Sequence, residues 1–132
     1  MPYRGPLRRE LNAPQNTPLA GIIDVVLLHQ NKSHVYSALI DTGSPISTIS
    51  AKALQFFRPT KWGRKQVRGA TELGADYCDI YRIDEVHFAE ATYRNHPLFA
   101  VSSRDEEMII GRDILQFHMT LFDGPNEELE VT

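Results

Sequence analysis

The sequence predicts a nearly all-β domain, and three observations carry that prediction. Apolar residues occur in short runs, or alternate with polar ones, at strand length between turns rich in glycine and polar residues. Three pairs of such stretches are close enough to form hairpins, around residues 30–33, 69–74 and 123–126. Helical patterns are confined to the short segments 51–57 and 112–117. The length of 132 residues suits a single domain.

Composition excludes several classes of partner. The formal net charge of −3 gives no general attraction to nucleic acid or to an anionic membrane. No stretch approaches the ~20 apolar residues of a membrane span, and the polar, proline-rich start of the chain does not resemble a signal peptide. We therefore expect a cytoplasmic protein that binds neither nucleic acid nor a membrane.

The placement of cysteine and histidine argues against metal and redox chemistry. Cys78 is the single cysteine, which excludes an internal disulfide and favours a packed thiol over an intermolecular bond. The five histidines include no helical i,i+4 pair, so no zinc site is expected. The chain also lacks a glycine-rich phosphate loop and a Gly-x-Ser-x-Gly nucleophile elbow. We expect neither a metal nor a cofactor.

The chain divides into an extended arm, residues 1–18, and a domain, residues 19–132. Prolines within the arm oppose both a helix and a central strand: Pro2, Pro6, Pro14 and Pro18. In the domain, an apolar hairpin of residues 22–28 and 35–40 delivers Asp41 to the core. A further half-buried strand ends at Ser50, which is placed to cap the helix predicted over residues 51–57.

The second hairpin pairs residues 65–69 with 76–82 around a glycine-containing tip. Basic residues surround Trp62 on its first arm: Lys61, Arg64, Lys65 and Arg68. A solvated hairpin face explains them better than a nucleic-acid surface, which would need more stacking groups. A preference for acidic substrate residues is the functional alternative. Later strands are predicted at residues 83–87, 93–101, 109–110, 118–122 and 129–131.

The residues Asp41-Thr42-Gly43-Ser44 combine a carboxylate, two hydroxyls and a glycine at the end of an apolar strand. Gly43 allows the backbone to bend and allows another chain to approach closely, because it has no Cβ. The hydroxyls supply hydrogen bonds to neighbouring loops or to the carboxylate. Taken alone, this string also fits an ordinary Asp-x-Gly turn.

Two later motifs favour an active site over a simple turn. Gly69-Ala70-Thr71 lies at the hairpin tip, and Ile109-Ile110-Gly111-Arg112-Asp113-Ile114-Leu115 joins a short strand to a helix. In this order, the three motifs resemble the retropepsin-like aspartic proteases, in the style of bacterial and gammaretrovirus-type members. The resemblance covers Leu19 to Phe122.

The resemblance implies a fold and a function. The expected fold is an all-β acid-protease half-barrel with one short C-terminal helix and an active site at a two-fold dimer interface. The expected activity is cleavage of an extended polypeptide with apolar residues flanking the scissile bond. Implied catalytic residues are Asp41, Thr42 and Gly43, and implied substrate-binding residues are Ser44, Gly69, Ala70 and Thr71. A catalytically silent module of the same fold, for peptide binding or dimerisation, is the alternative.

The active site of these proteases needs a pair of aspartate carboxylates, called the catalytic dyad. This chain has one Asp-Thr-Gly motif, so the resemblance implies that a second copy of the chain supplies the other carboxylate. The two Asp41 carboxylates then face each other across the two-fold axis. The resemblance also implies that Thr42 bonds the opposing loop, that Gly43 offers its carbonyl to the peptide, and that the hairpin is a flap closing over it. A protruding surface hairpin without a lid role is the alternative.

Three details stay open at the level of sequence. In many family members an acidic residue four positions after the catalytic Asp pairs with the arginine corresponding to Arg112, but Pro45 stands there. The Ser44 hydroxyl is expected to donate to Asp41, with capping of its own turn as the alternative. In the arm, Tyr3 and Leu7 are placed either on the partner subunit or in a disordered leader.

Overall fold

The computed structural model describes residues 3–10, 13–71, 74–102 and 108–132. These ranges contain ten strands and two short helices. The strands are β1 (Tyr3–Pro6), β2 (Ile22–His29), β3 (Lys32–Ile40), β4 (Thr48–Ser50), β5 (Lys61–Thr71), β6 (Gly74–Phe88), β7 (Ala91–Val101), β8 (Met108–Ile110), β9 (Thr120–Asp123) and β10 (Glu128–Val131). The helices are α1 (Ala51–Leu54) and α2 (Arg112–Leu115). The nearly all-β prediction is confirmed.

Seven strands form the main sheet in the order β2-β3-β8-β4-β7-β6-β5, and an added β2–β6 pairing curls it into a barrel. Most neighbours are antiparallel, but β3–β8 and β4–β7 are parallel. Short β8 lies between β3 and β4, so residues far apart in sequence meet at the end of β3. That end of the sheet carries Asp41.

Local sequence signals account for the first hairpin and the first helix. Gln30 and Asn31 adopt positive φ angles of 48° and 66°, the geometry that a tight hairpin turn requires. The Ser50 side chain accepts a hydrogen bond from Ala53 N at 3.1 Å, which caps α1 as predicted. The helix ends at Leu54, one turn earlier than expected.

The core lies inside the barrel and reaches the terminal hairpin. From Ile23 onward, buried side chains alternate along β2 with half-buried or exposed ones. The largest fully buried side chains of the core include Phe88 of β6 and Ile23 and Leu27 of β2. Leu129 and Val131 of β10 belong to the same cluster. The Cys78 thiol is buried, as expected of a packed cysteine.

The arm and the terminal hairpin form a separate three-stranded sheet in the order β1-β10-β9. Tyr3 lies opposite Val131, and both Tyr3 and Leu7 pack on the core of their own chain. The arm is therefore an ordered edge strand over residues 3–6, as its proline allows, and the disordered-leader alternative is wrong for this stretch. A contact of Tyr3 or Leu7 with a partner stays a prediction. In the described ranges, no helix has the length and apolar character needed to cross a bilayer.

Candidate active site

Asp41 lies just after β3, and backbone hydrogen bonds hold it from both sides. Ile40 N donates to Gly21 O at 2.8 Å, and Asp41 N donates to Ile110 O at 3.0 Å. The second bond extends the parallel β3–β8 pairing into the turn. The register of the strands therefore fixes the position of the Asp41 Cα, from which the side chain extends.

The Asp41 carboxylate is hydrogen-bonded within its own turn. Gly43 N donates to Asp41 Oδ1 at 2.9 Å, and Ser44 N donates to Asp41 O at 3.2 Å. A Cβ on Gly43 would lie 3.1 Å from the same carboxylate oxygen, so glycine leaves room for this close approach. Thr42 and Gly43 are exposed, while Asp41 is partly buried. The turn thus presents an oriented carboxylate beside two solvent-facing residues.

The Ser44 hydroxyl has another partner than the one expected. It donates to Ile46 O at 2.7 Å, and since a hydroxyl has one proton, it has none to give to Asp41. The expectation of a bond to the Asp41 carboxylate is wrong, and the turn-capping alternative is what the structure shows. A nearby carbonyl two residues on satisfies the hydroxyl locally.

We accordingly expect Ser44→Ala to affect stability rather than the pH profile. Loss of the bond to Ile46 O costs about 1 kcal/mol, which lowers Tm by roughly 3 °C. The acid limb of a kcat/KM profile against pH should coincide for wild type and variant. A limb that moves upward in the variant would show that the hydroxyl reaches Asp41 in the working protein.

Gly111 marks the point where the chain crosses directly behind the Asp41 turn. A Cβ placed there would overlap Ile46 O and lie 2.8 Å from Ser44 O. The backbone of Gly111 is extended, with φ −101° and ψ −173°, so the reason for glycine is close packing and not an unusual dihedral angle. Gly111 therefore permits the chain to cross close behind the turn.

Arg112 binds the Asp41 turn through the backbone. Its Nη1 donates to Thr42 O at 2.7 Å, and its own N–H donates to Ser44 O at 2.8 Å. The open question of its partner is thereby answered: a carbonyl takes the place of an acidic side chain, which agrees with Pro45 standing at that position. Arg112 of α2 and Ile110 of β8 together bind three backbone atoms of the turn, namely Thr42 O, Ser44 O and Asp41 N.

A side-chain network behind the turn was missed by sequence reasoning. Ser47 Oγ accepts from Gly111 N at 3.1 Å and donates to Asp113 Oδ1 at 2.7 Å. Asp113 Oδ2 in turn contacts His96 Nε2 at 2.8 Å. The position of Asp113 in the first turn of α2 is visible in the sequence, but nothing in the sequence pairs it with His96 on β7.

Burial and hydrogen bonding act in opposite directions on Asp113. Burial alone raises the pKa of its carboxyl, but hydrogen bonds from His96 and Ser47, with the charge of His96, bring that pKa below its usual 3.8. A lowered pKa in the folded state stabilises the fold above the ordinary value, and this contribution is lost as pH falls through the lower folded value. Burial, followed by the charge of Asp113, raises the pKa of Tyr93, whose hydroxyl bonds His118 Nε2.

The sequence matches the family model described as "Aspartyl protease" over residues 26–114, about two thirds of the chain. The chain belongs to the aspartyl protease family. The match includes the Asp41 turn, the β5–β6 hairpin and the Gly111 crossing. Among curated proteins, no sequence matches the protease.

Structure comparison places this aspartyl protease on the retropepsin-like fold. It superposes on a retropepsin-like aspartic protease from Rickettsia conorii with a TM-score of 0.63 at 13% sequence identity. The match covers 99% of this chain and 92% of the other. The identity is low, so the likeness is one of fold. The retropepsin-like half-barrel predicted from the three motifs is confirmed, with α1 as a second short helix beside the expected C-terminal one.

The β5–β6 hairpin of the protease is formed as predicted. Its backbone pairing ends with Thr71 opposite Gly74, and Glu72 and Leu73 lie outside the described residues. The side chains of Ala70 and Thr71 also lie outside the description, as does the surface around Gly69, so their substrate-binding roles stay predictions. At the hairpin base, Cys78, Ile80 and Phe99 form a small apolar cluster against which Ile46, Val67 and Val101 pack.

The basic arm of the hairpin is engaged with its own neighbours. Lys61 pairs with Asp79 at 3.1 Å, Arg64 stacks on Tyr77, and Arg82 stacks on Trp62 at 4.1 Å from the ring centre. These contacts agree with a solvated hairpin face. Within the described ranges of the protease, no three His, Cys, Asp or Glu side chains are grouped to hold a metal ion.

Proposed function

We propose that the protein is a homodimeric aspartic endopeptidase in which the Asp41 residues of two copies form the catalytic dyad. The observation that carries this proposal is the Asp41 turn itself. Hydrogen bonds from Asp41 N to Ile110 O and from Arg112 to the carbonyls of Thr42 and Ser44 hold it from behind, while Thr42 and Gly43 remain exposed. Such an arrangement leaves the front of the turn available to a second copy and to a peptide.

The chemistry follows from bringing two carboxylates together. Two like charges a few ångströms apart do not both ionise, so the pair shares one proton. The ionised Asp41 takes a proton from a bound water, which attacks the scissile carbonyl carbon, while the protonated Asp41 gives its proton to the carbonyl oxygen. The C–N bond then breaks as the amine leaves with a proton. Thr42 bonds the opposing loop and Gly43 O binds the extended peptide.

The terminal apolar surface supports association of two copies. We give this name to four exposed side chains around β9: Phe117, Met119, Leu121 and Phe122. Successive residues of a strand point to opposite faces, so the exposure of Leu121 and Phe122 leaves both faces of β9 apolar and open to water. β9 is also the last strand of its sheet, and within the described residues its outer edge is unpaired. An apolar strand with a free edge favours pairing with another chain.

This surface lies next to the strand that carries Asp41. The Phe122 ring packs on Gly21, at the place where a Cβ would be. Gly21 O accepts the hydrogen bond from Ile40 N, one residue before Asp41. A second copy seated on β9 would thus lie close to the end of β3, which favours an interface that brings the two turns together.

We expect Leu121→Lys to weaken the dimer and to make activity depend on concentration. The substitution removes an apolar contact twice per dimer and introduces a charge, so the Kd should rise by roughly 100-fold. Specific activity should then fall on dilution at concentrations where the wild type retains it, because a monomer holds half a site.

Val35→Lys is the matched control, because Val35 and Leu121 are each 54% exposed and Val35 lies on β3, outside the terminal apolar surface. Sedimentation velocity gives the association state of each variant. An active monomer would contradict the proposed dyad. If both variants dissociated equally, that result would contradict the proposed role of β9 but would not contradict the proposed dyad.

Apolar residues flanking the scissile bond are the proposed specificity. Ile46 follows the Asp41 turn and, like Val67 and Val101, packs against the small apolar cluster of Cys78, Ile80 and Phe99. We propose that these partly buried aliphatic side chains receive the apolar residues of the peptide. Incubation with a mixed peptide library from acidic to neutral pH, with and without an aspartic-protease inhibitor, tests both activity and specificity. Cleavage that the inhibitor does not affect would contradict the proposal.

A further inference from the structure

A chain of hydrogen bonds behind the Asp41 turn begins at His96 and ends at the backbone of Gly111. We call its members the His96 network: His96, Asp113, Ser47 and the Gly111 N–H. Three separate elements contribute to it, namely β7, α2 and the segment leading into β4. Ser47 is fully buried, and the side chains of His96 and Asp113 are 15% and 22% exposed.

The hydrogen bonds of the network have one direction. An ionised Asp113 accepts only, so His96 Nε2 must carry the proton between them. The single proton of Ser47 goes to Asp113 Oδ1, which leaves an oxygen lone pair for Gly111 N. Asp113 also accepts from Ile114 N at 3.0 Å. Within the described residues, His96 is the one basic side chain that contacts this carboxylate.

At the end of the network, the backbone of Gly111 is packed too tightly to move independently of the Asp41 turn. Gly111 packs against the backbone of Ile46 and Ser44 too closely to admit a Cβ. The residues on either side of it supply Ile110 O to Asp41 N and Arg112 N to Ser44 O. A shift of Gly111 is therefore passed directly to the turn that carries the catalytic carboxylate.

We propose that His96 is a positioning residue, which holds the Asp41 turn through Asp113 and Ser47 and holds it more firmly when the imidazole is protonated. The relevance to catalysis rests on the proposed protease function; the coupling itself does not. A hydrogen bond between two charged groups is roughly twice as strong as one between neutral groups. Histidine is the side chain that ordinarily changes charge between about pH 5 and 8. A charged imidazole therefore holds Asp113, and through it the turn, more firmly than a neutral one.

Other groups near His96 leave this assignment clear. Tyr93, on the same strand, places its ring edge-on at 5.8 Å from the imidazole, and its raised pKa keeps the hydroxyl protonated in this range. Opposite His96 on β6 stands Ile83, which carries no charge. On α2, Arg112 is directed to Thr42 O, and after α2, His118 binds the Tyr93 hydroxyl. His96 and His118 are therefore the two groups to compare.

The first test is structural and needs no substrate. The amide signals of Gly111 and Asp41 are followed by NMR between about pH 5 and 8 in wild type, His96→Gln and His118→Gln. Glutamine keeps a neutral donor but does not titrate. We expect both amide signals to titrate in wild type and in His118→Gln, and to stay constant in His96→Gln. Signals that stay constant in wild type, or that still move in His96→Gln, would overturn the proposal.

The second test follows catalysis over the same range. The ratio of kcat for wild type to kcat for His96→Gln cancels the titration of the dyad, which both proteins share. We expect this ratio to fall by about fivefold as pH rises across the range in which histidine ordinarily changes charge, with equal KM values, because glutamine has no charge to lose. A purely structural role would give a ratio independent of pH, which would overturn the catalytic coupling. Absence of cleavage in wild type would contradict the protease assignment and leave the NMR result decisive for the network.

Discussion

Replacement of Asp41 by asparagine is expected to abolish peptide cleavage while the fold and the dimer are retained. The change removes the titrating group from both halves of the proposed dyad, and with it the proposed general base and general acid, so kcat should fall by at least about 10³-fold. The asparagine oxygen can still accept the hydrogen bond that Gly43 N makes to Oδ1 at 2.9 Å. The turn should therefore keep its conformation.

The matched control for this variant is Asp24→Asn. Asp24 is an exposed carboxylate on β2 that accepts hydrogen bonds from Arg8 and Ser37, so the chemical change is identical and its location differs. Cleavage is measured on the same peptide mixture, and folding by circular dichroism. Wild-type activity in Asp41→Asn would remove this residue from the mechanism, whereas absence of cleavage in the wild type itself would favour a peptide-binding module on the same fold.

Gly111→Ala is expected to be the most destabilising glycine-to-alanine change among the glycines with a described environment. The added methyl group overlaps Ile46 O and lies 2.6 Å from Ile46 C, and both are backbone atoms that cannot rotate away. To relieve this overlap, the backbone at Gly111 must move away from the Asp41 turn. That movement strains or breaks the hydrogen bonds from Gly111 N to Ser47 Oγ and from Arg112 N to Ser44 O. Overpacking of this kind costs about 3 kcal/mol, which corresponds to a Tm lower by roughly 10 °C.

Activity should fall further than stability explains, because the carboxylate is displaced from its partner across the dyad. Gly63→Ala is the control, since a Cβ on Gly63 has no neighbour within 4 Å. Differential scanning calorimetry and kcat measured at a temperature where both variants are folded separate the two effects. A Gly111→Ala protein with wild-type Tm would show that the crossing is looser than its geometry indicates.

Features that depend on nearby residues were the ones sequence reasoning predicted well. The Ser50 cap, the turn at Gln30 and Asn31, and the strand pattern each rest on interactions within a few positions. The apolar hairpin predicted the place of Asp41, and the order of three motifs predicted the retropepsin-like fold, with which the fold comparison agrees.

The features that were missed depend on the register between distant strands. His96 meets Asp113 because β7 runs beside β4 and because α2 follows β8, and no local pattern encodes that meeting. Ser44 shows the opposite error: a bond to the catalytic group was expected, but an acceptor two residues away satisfies the hydroxyl first. Arg112 was left without a partner because a backbone carbonyl has no signature in a sequence.

The pairing of β1 with β10 also determines how late in synthesis the terminal sheet can form. Tyr3 lies opposite Val131, so β1 cannot pair until β10, which comes much later in the sequence, has been synthesised. Closing so long a loop is entropically costly and slow, and on the ribosome it must follow synthesis of the last strand. The proposed dimer edge, β9, is paired to that same β10. A nascent chain therefore contains the Asp41 turn well before it has the complete terminal sheet, so the proposed pairing of two turns must follow the synthesis of β10.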